Sequence, residues 1–137
     1  MRNFDKITFF GNSMGGYAAL LVQLVLGFGR AVAFNPQTFI SSKLRLQNND
    51  LRWSAQINKV KDIIESSPYN DLYKVAQNSK STNCEIHVAQ DDELDLAHAR
   101  HLSSCDGVRV FEHESGGHNL VGALRDTGKL LEIVQGL

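Results

Sequence analysis

The chain has 137 residues, enough for one domain with a core of its own and too few for two. Fourteen Lys plus Arg against 15 Asp plus Glu leave a net charge of −1, which gives no electrostatic footprint for nucleic acid or for an anionic membrane surface. Two cysteines, Cys84 and Cys105, cannot build a disulfide framework and read as reduced thiols in an intracellular protein. Met1 to Lys6 has no apolar core of a secretory signal, and the apolar run Tyr17 to Phe28 is too short to span a bilayer. A cytoplasmic protein without a membrane partner is the expectation.

In chain order, Lys6 to Phe10 reads as a short buried strand that stops at Gly11. Met14 to about Phe28 favours helix, apolar on nearly every face and ended by Gly27 and Gly29. Arg30 to Phe34 is a second strand, closed by Asn35-Pro36. The stretch from Gln37 to Ser81 is more polar, with helical patches around Trp53 to Glu65 and Tyr69 to Ala76, and reads as a surface insertion within the same domain. Strand character returns at Glu85 to Ala89, helix at about Asp95 to Ser103, strand at Gly107 to Glu112, and a closing helix at about Asn119 to Val134. Alternating strands and helices predict an α/β protein with four parallel strands in spatial order of appearance, the helix from Met14 on one face and the last helix on the other.

The chemistry lies where strands end. Gly11-Asn12-Ser13-Met14-Gly15 fits G-x-S-x-G between a strand and a helix, the context in which a serine is pushed out of a tight turn. Glycines on both sides are expected to avoid Cβ clashes, and the Met14 N–H at the helix start can face a developing oxyanion. The serine needs a base, and the base needs a carboxylate to fix its tautomer. His87 falls in a strand, His98 and His101 on a helix and His113 at or just past a strand end, and all four read as packed or solvated side chains. His118 follows the flexible Glu114-Ser115-Gly116-Gly117 and sits on the rim expected to carry Ser13. The carboxylate should come from Gln90-Asp91-Asp92-Glu93-Leu94-Asp95, with Asp92 preferred and Asp91 and Asp95 as rivals. Nothing in these motifs calls for a cofactor or a metal, and the first strand is followed by neither a dinucleotide nor a P-loop fingerprint.

Gly11 to Ala19 resembles the nucleophile elbow of the α/β-hydrolase superfamily, Asp91 to Ala99 its acid loop and following helix, and Glu114 to Asn119 its histidine loop. The resemblance covers the chain apart from residues 37–81, which match only a variable cap-like insertion. It implies a truncated α/β-hydrolase fold, the C-terminal half, acting as a serine hydrolase on a carboxylic ester, thioester or amide. Ser13 would be the nucleophile, His118 the base, Asp92 the orienting acid and Met14 an oxyanion donor. Gln37 to Phe39 could line an acyl pocket, though a surface loop suits them better. Family members carry about four earlier strands, one of whose loops gives the second oxyanion donor. Without that donor the rate would fall on the order of 100- to 1,000-fold. The alternative is a non-catalytic half-domain serving assembly. The unpaired edge of the first strand and the all-round apolar first helix predict a homodimer.

Overall fold

The computed structural model describes residues 4–136. Among them four strands form one parallel sheet: β1 Thr8–Asn12, β2 Arg30–Phe34, β3 Cys84–Ala89 and β4 Val108–His113, in the order β1-β2-β3-β4. This is the predicted topology, with strand limits shifted by one or two residues. The central strands are apolar for a physical reason: β3 is buried along its whole length and β2 everywhere past Arg30, as strands covered on both faces must be.

Helix α1, Met14–Leu26, follows β1 and packs Leu20 and Leu24 onto Ala31, Ala33, Ile86 and Val88. It ends where Gly27 adopts φ 67° and returns its N–H to the Gln23 carbonyl. Ala99 and Leu102 of α6, Glu93–Leu102, join the same core. The opposite face buries Val32, Phe34 and Ala89 under Leu120 and Leu124. The expected closing helix is two helices, α7 Leu120–Asp126 and α8 Lys129–Gln135, broken at Gly128 with φ 79°.

Between β2 and β3 the chain forms four short helices rather than two: α2 Ser42–Gln47, α3 Ser54–Asn58, α4 Lys61–Ser66 and α5 Leu72–Gln77. Asn48-Asn49-Asp50 ends α2, while the αL conformation of Trp53 (φ 56°) opens α3. Leu72 of α5 is buried in the α1 core, which ties the insertion to the domain.

Helix α1 shows a one-sided burial despite its apolar sequence: Val22, Val25 and Leu26 remain exposed. Both cysteines are free thiols. Burial pushes the Cys84 thiol up to about 12, and its sulfur lies 3.2 Å from Gln23 Oε1. Among the described residues no helix is long and apolar enough to cross a membrane.

Candidate active site

The turn between β1 and α1 is strained in the way a projecting serine requires. Ser13 has φ 56° and ψ −119°, an uncommon conformation for a residue with a side chain, costing about 1–3 kcal/mol. Its N–H donates to the Phe34 carbonyl at 2.9 Å, and its own carbonyl accepts from Tyr17 N–H at 3.1 Å and Gln37 N–H at 3.3 Å. The elbow is therefore fastened to the end of β2 and to the first turn of α1. Of the two flanking glycines only Gly11 is sterically required, because a Cβ there would stand 1.8 Å from the Gly15 carbonyl oxygen. A Cβ on Gly15 would meet nothing within 4 Å, which corrects half of the expectation. Gly16 is the second tight position, 2.8 Å from Pro36 Cβ.

His118 comes from a 3₁₀ turn, Gly117–Asn119, between β4 and α7. The loop before it is held from two sides. Asp91 accepts from the N–H groups of Gly117 at 2.9 Å and Gly116 at 3.3 Å. Those backbone bonds hold the Asp91 carboxyl below its ordinary value. The buried Asn35, at the end of β2, donates from Nδ2 to the carbonyls of Gly117 and His118, both at 3.0 Å. So braced, His118 places Nε2 3.0 Å from Ser13 Oγ.

The carboxylate on the other side of His118 belongs to Asp95, whose Oδ2 lies 2.7 Å from Nδ1. Asp92, the preferred candidate from sequence, does not face the ring through a hydrogen bond. It is the N-cap of α6, accepting from Asp95 N–H at 3.0 Å. Three acids of one loop thus have three jobs: Asp91 braces the histidine loop, Asp92 starts the helix, and Asp95 in its first turn points inward to His118. Asp92-x-x-Asp95 carries a helix-start signal, an N-cap residue followed three positions later by an acid, which marks Asp92 as the cap but does not say which acid turns toward His118.

Asp95 is completely buried, and its second oxygen accepts from Arg52 Nη1 at 2.8 Å. Arg52 precedes α3 and also grips Asp50, with Nη2 to Oδ2 at 2.6 Å and Nε to Oδ1 at 2.9 Å. Burial opposes ionisation of Asp50, yet hydrogen bonds from Arg52 and His98 and the guanidinium charge outweigh it, holding the carboxyl well below the usual carboxylate range. For Arg52 burial works against the cation, and its bonds to the two aspartates win, raising its pKa. Beside it Trp53 sets its ring 5.5 Å from the His118 ring, with the Arg52 guanidinium 4.9 Å over the indole. The sequence reads as a surface excursion over residues 37–81 and as a strand stop at Asn35-Pro36, so four residues went unmarked: Asn35, Asp50, Arg52 and Trp53. No local motif marks them, since their pairing spans 43 positions for Arg52 with Asp95 and 82 for Asn35 with Gly117.

The remaining histidines are placed in other packing. His87 and His113 lie 2.9 Å apart on the sheet, where His87 also meets Glu85 at 2.7 Å, and His101 meets Asp71 at 2.7 Å. His98 is fully buried behind the site. Ligating atoms of Asp92, Asp95 and His118 fall within 4.8 Å of one another, a spacing compatible with a cation. Each is already engaged in the hydrogen bonds above. Gln37 and Thr38 are buried rather than exposed in a surface loop.

No protein-family model matches the chain, and no curated sequence does. Solved structures do. The capsule O-acetyltransferase of Neisseria meningitidis serogroup A is similar at TM-score 0.61 and 22% identity, over 89% of this chain and 54% of that one. An α/β-hydrolase enzyme from the metagenome of lagoon sediments at Mar Chica, Morocco, is similar at TM-score 0.55 and 16% identity, over 97% of this chain and 60% of that one. BpoC of Mycobacterium tuberculosis H37Rv matches at TM-score 0.55 and 11% identity, over 92% and 65%. The chain therefore spans about half to two thirds of the length of these structures. Four parallel strands in this order, with helices on both faces, are a part of the α/β-hydrolase fold.

Proposed function

We propose that this chain carries serine-based acyl-transfer chemistry, with Ser13 as nucleophile, His118 as general base and Asp95 as the carboxylate that orients it. The observation that carries the reading is the unbroken chain from Ser13 Oγ to His118 at 3.0 Å and from His118 to the buried Asp95 at 2.7 Å. His118 Nδ1 donates to Asp95, so its Nε2 is the free acceptor for the serine proton. Attack of Oγ on an acyl carbonyl forms a tetrahedral adduct whose oxyanion can take the Met14 N–H, at the positive end of the α1 dipole. His118 then returns the proton to the leaving alcohol, thiol or amine, and a second hydroxyl takes the acyl group from Ser13. Water as that acceptor makes the protein a hydrolase of esters, thioesters or amides. The likeness to a capsule O-acetyltransferase favours a second reading in which an alcohol is the acceptor. The exposed Met14 and the indole of Trp53 beside His118 offer the acyl group an apolar wall.

A fluorophosphonate probe followed by mass spectrometry of the denatured chain tests the chemistry. One covalent adduct on Ser13, lost in Ser13→Ala and in His118→Ala, is the expected result. A folded sample without adduct would return the reading to a non-catalytic half-domain. With an activated acetyl ester as donor, product formed as free acid or as the ester of an added alcohol separates hydrolysis from transfer.

A further inference from the structure

The hydrogen-bonded chain does not stop at Asp95. Arg52 bridges Asp95 to Asp50, and Asp50 Oδ2 lies 2.9 Å from His98 Nε2. The last link has a defined direction. Thr38 N–H donates to His98 Nδ1 at 2.9 Å, while Thr38 Oγ1 gives its proton to the His98 carbonyl at 2.8 Å. Nδ1 is therefore an acceptor and Nε2 carries the proton that Asp50 receives. Burial holds His98 below its ordinary imidazole value, against the pull of Asp50, so His98 is a neutral donor.

Counting charges along this network gives Asp95 negative, Arg52 positive, Asp50 negative and His98 neutral. An arginine on the catalytic carboxylate alone would weaken the support that Asp95 lends to an imidazolium. Asp50, held at both of its oxygens by the same guanidinium, cancels that arginine charge. Asp95 is left with one net negative charge facing His118, fixed in position by a planar fork that lysine cannot reproduce. The fork arises from residues 50 and 52, on the turn between α2 and α3, and so from the insertion rather than from the sheet.

Building on the acyl-transfer reading, we propose that Arg52 is a positioning residue for the reaction, that Asp50 is its charge counterweight, and that together they tune Asp95 as partner of His118. The groups facing His118 are Ser13 from the elbow, Asp95 and Asp92 from the start of α6, and Trp53 from the insertion. Asp95 touches the ring directly, Asp92 stands within 4.8 Å of it without a hydrogen bond, and Arg52 and Asp50 act through Asp95.

The two neighbours therefore have opposite signs. Arg52→Gln removes a positive charge and should move the acid limb of the probe-labelling rate against pH upward by about one pH unit. Asp50→Asn removes the counter-charge and one of the two acceptor oxygens, leaves the arginine uncompensated, and should move the limb down. Arg52→Lys retains the charge without the fork, so its limb should stay near that of the wild type while the rate falls about 10- to 100-fold through misplacement of Asp95. The measurement is the second-order labelling rate of the whole chain with a fluorophosphonate from pH 5 to 9, alongside the titration midpoint of His118 followed by nitrogen-15 NMR. The NMR midpoint remains readable in a variant too slow to label. Shifts of the same sign in both charge variants, or no shift in either while the wild type labels, would overturn the proposal and leave the acyl-transfer reading intact. If Arg52→Gln does not fold, the Asp50→Asn midpoint decides, because a purely structural contact predicts no downward shift. A wild type that takes no label at Ser13 overturns the acyl-transfer reading, and this one with it.

Discussion

Replacing Asp95 by asparagine separates it from Asp92, the acid that the sequence preferred. Asp95 is fully buried between two donors, His118 Nδ1 at 2.7 Å and Arg52 Nη1 at 2.8 Å. Asparagine has one acceptor side and one donor side, and arginine has no acceptor to offer. The amide oxygen must then turn to Arg52 and the NH₂ group to His118. Facing a donor, His118 must accept at Nδ1 and carry its proton on Nε2, which is the side that should take the proton of Ser13. The base is lost by tautomer, with its counter-charge, and the geometry is unchanged. A loss of that kind is on the order of 1,000- to 10,000-fold in rate, or about 4–5.5 kcal/mol in the barrier. Asp92→Asn should label within about threefold of the wild type, because Asp92 only caps α6 and asparagine caps as well. Asp92→Ala should lose about 1 kcal/mol of stability, a fall of about 3–5 °C in Tm. Labelling rates with a fluorophosphonate, with circular dichroism to verify folding, are the assay. Equal losses in Asp92→Asn and Asp95→Asn, or an Asp95→Asn protein within tenfold of the wild type, would refute the reasoning.

Gly11→Ala should unfold the elbow or lower Tm by more than 10 °C, since its Cβ would overlap the Gly15 carbonyl, whereas Gly15→Ala should leave stability unchanged or raised by up to about 1 kcal/mol; thermal melts of the two compare them directly. Acid should weaken the fold in two stages. His98 and His87 have folded pKa values held below the ordinary 6.5 by burial, so their contribution is complete above pH 6.5 and is lost as pH falls through the depressed values. Asp50 adds a second loss below its ordinary 3.8, and urea melts from pH 7.5 to 3 should show His98→Gln shallower in the first stage only. Exposed Ile7 and Phe10 at the unpaired β1 edge, with Val22, Val25 and Leu26 on α1, should drive self-association of two chains at micromolar concentration; sedimentation showing a monomer of 15.2 kDa would count against it.

Order and type of the main elements were legible because each rests on a short-range signal. Short apolar runs stopped by Gly11 and by Asn35-Pro36 gave β1 and β2, apolar residues recurring between polar turns gave β3 and β4, and Gly27 marked the end of α1. Ser13 and His118 were legible for the same reason: a strand-to-helix turn and a glycine-rich loop announce themselves within five residues. The split at Gly128 and the four short helices between β2 and β3 were not legible, because helices of five to seven residues complete hardly two turns and owe their boundaries to tertiary contacts. The choice of Asp95 over Asp92 also needed the tertiary structure. Both acids sit in the first turn of one helix, and which one turns toward His118 depends on where α6 lies against the sheet. Arg52 and Trp53 are the extreme case. Nothing within ten residues of them hints at the site, and only the docking of the insertion on α1 and α6 brings the Arg52 fork to a carboxylate 43 positions away. Local patterns determine turns, caps and strand runs because their energies are set by adjacent residues. Which buried charges meet is decided by packing, since desolvation penalises any arrangement in which they do not.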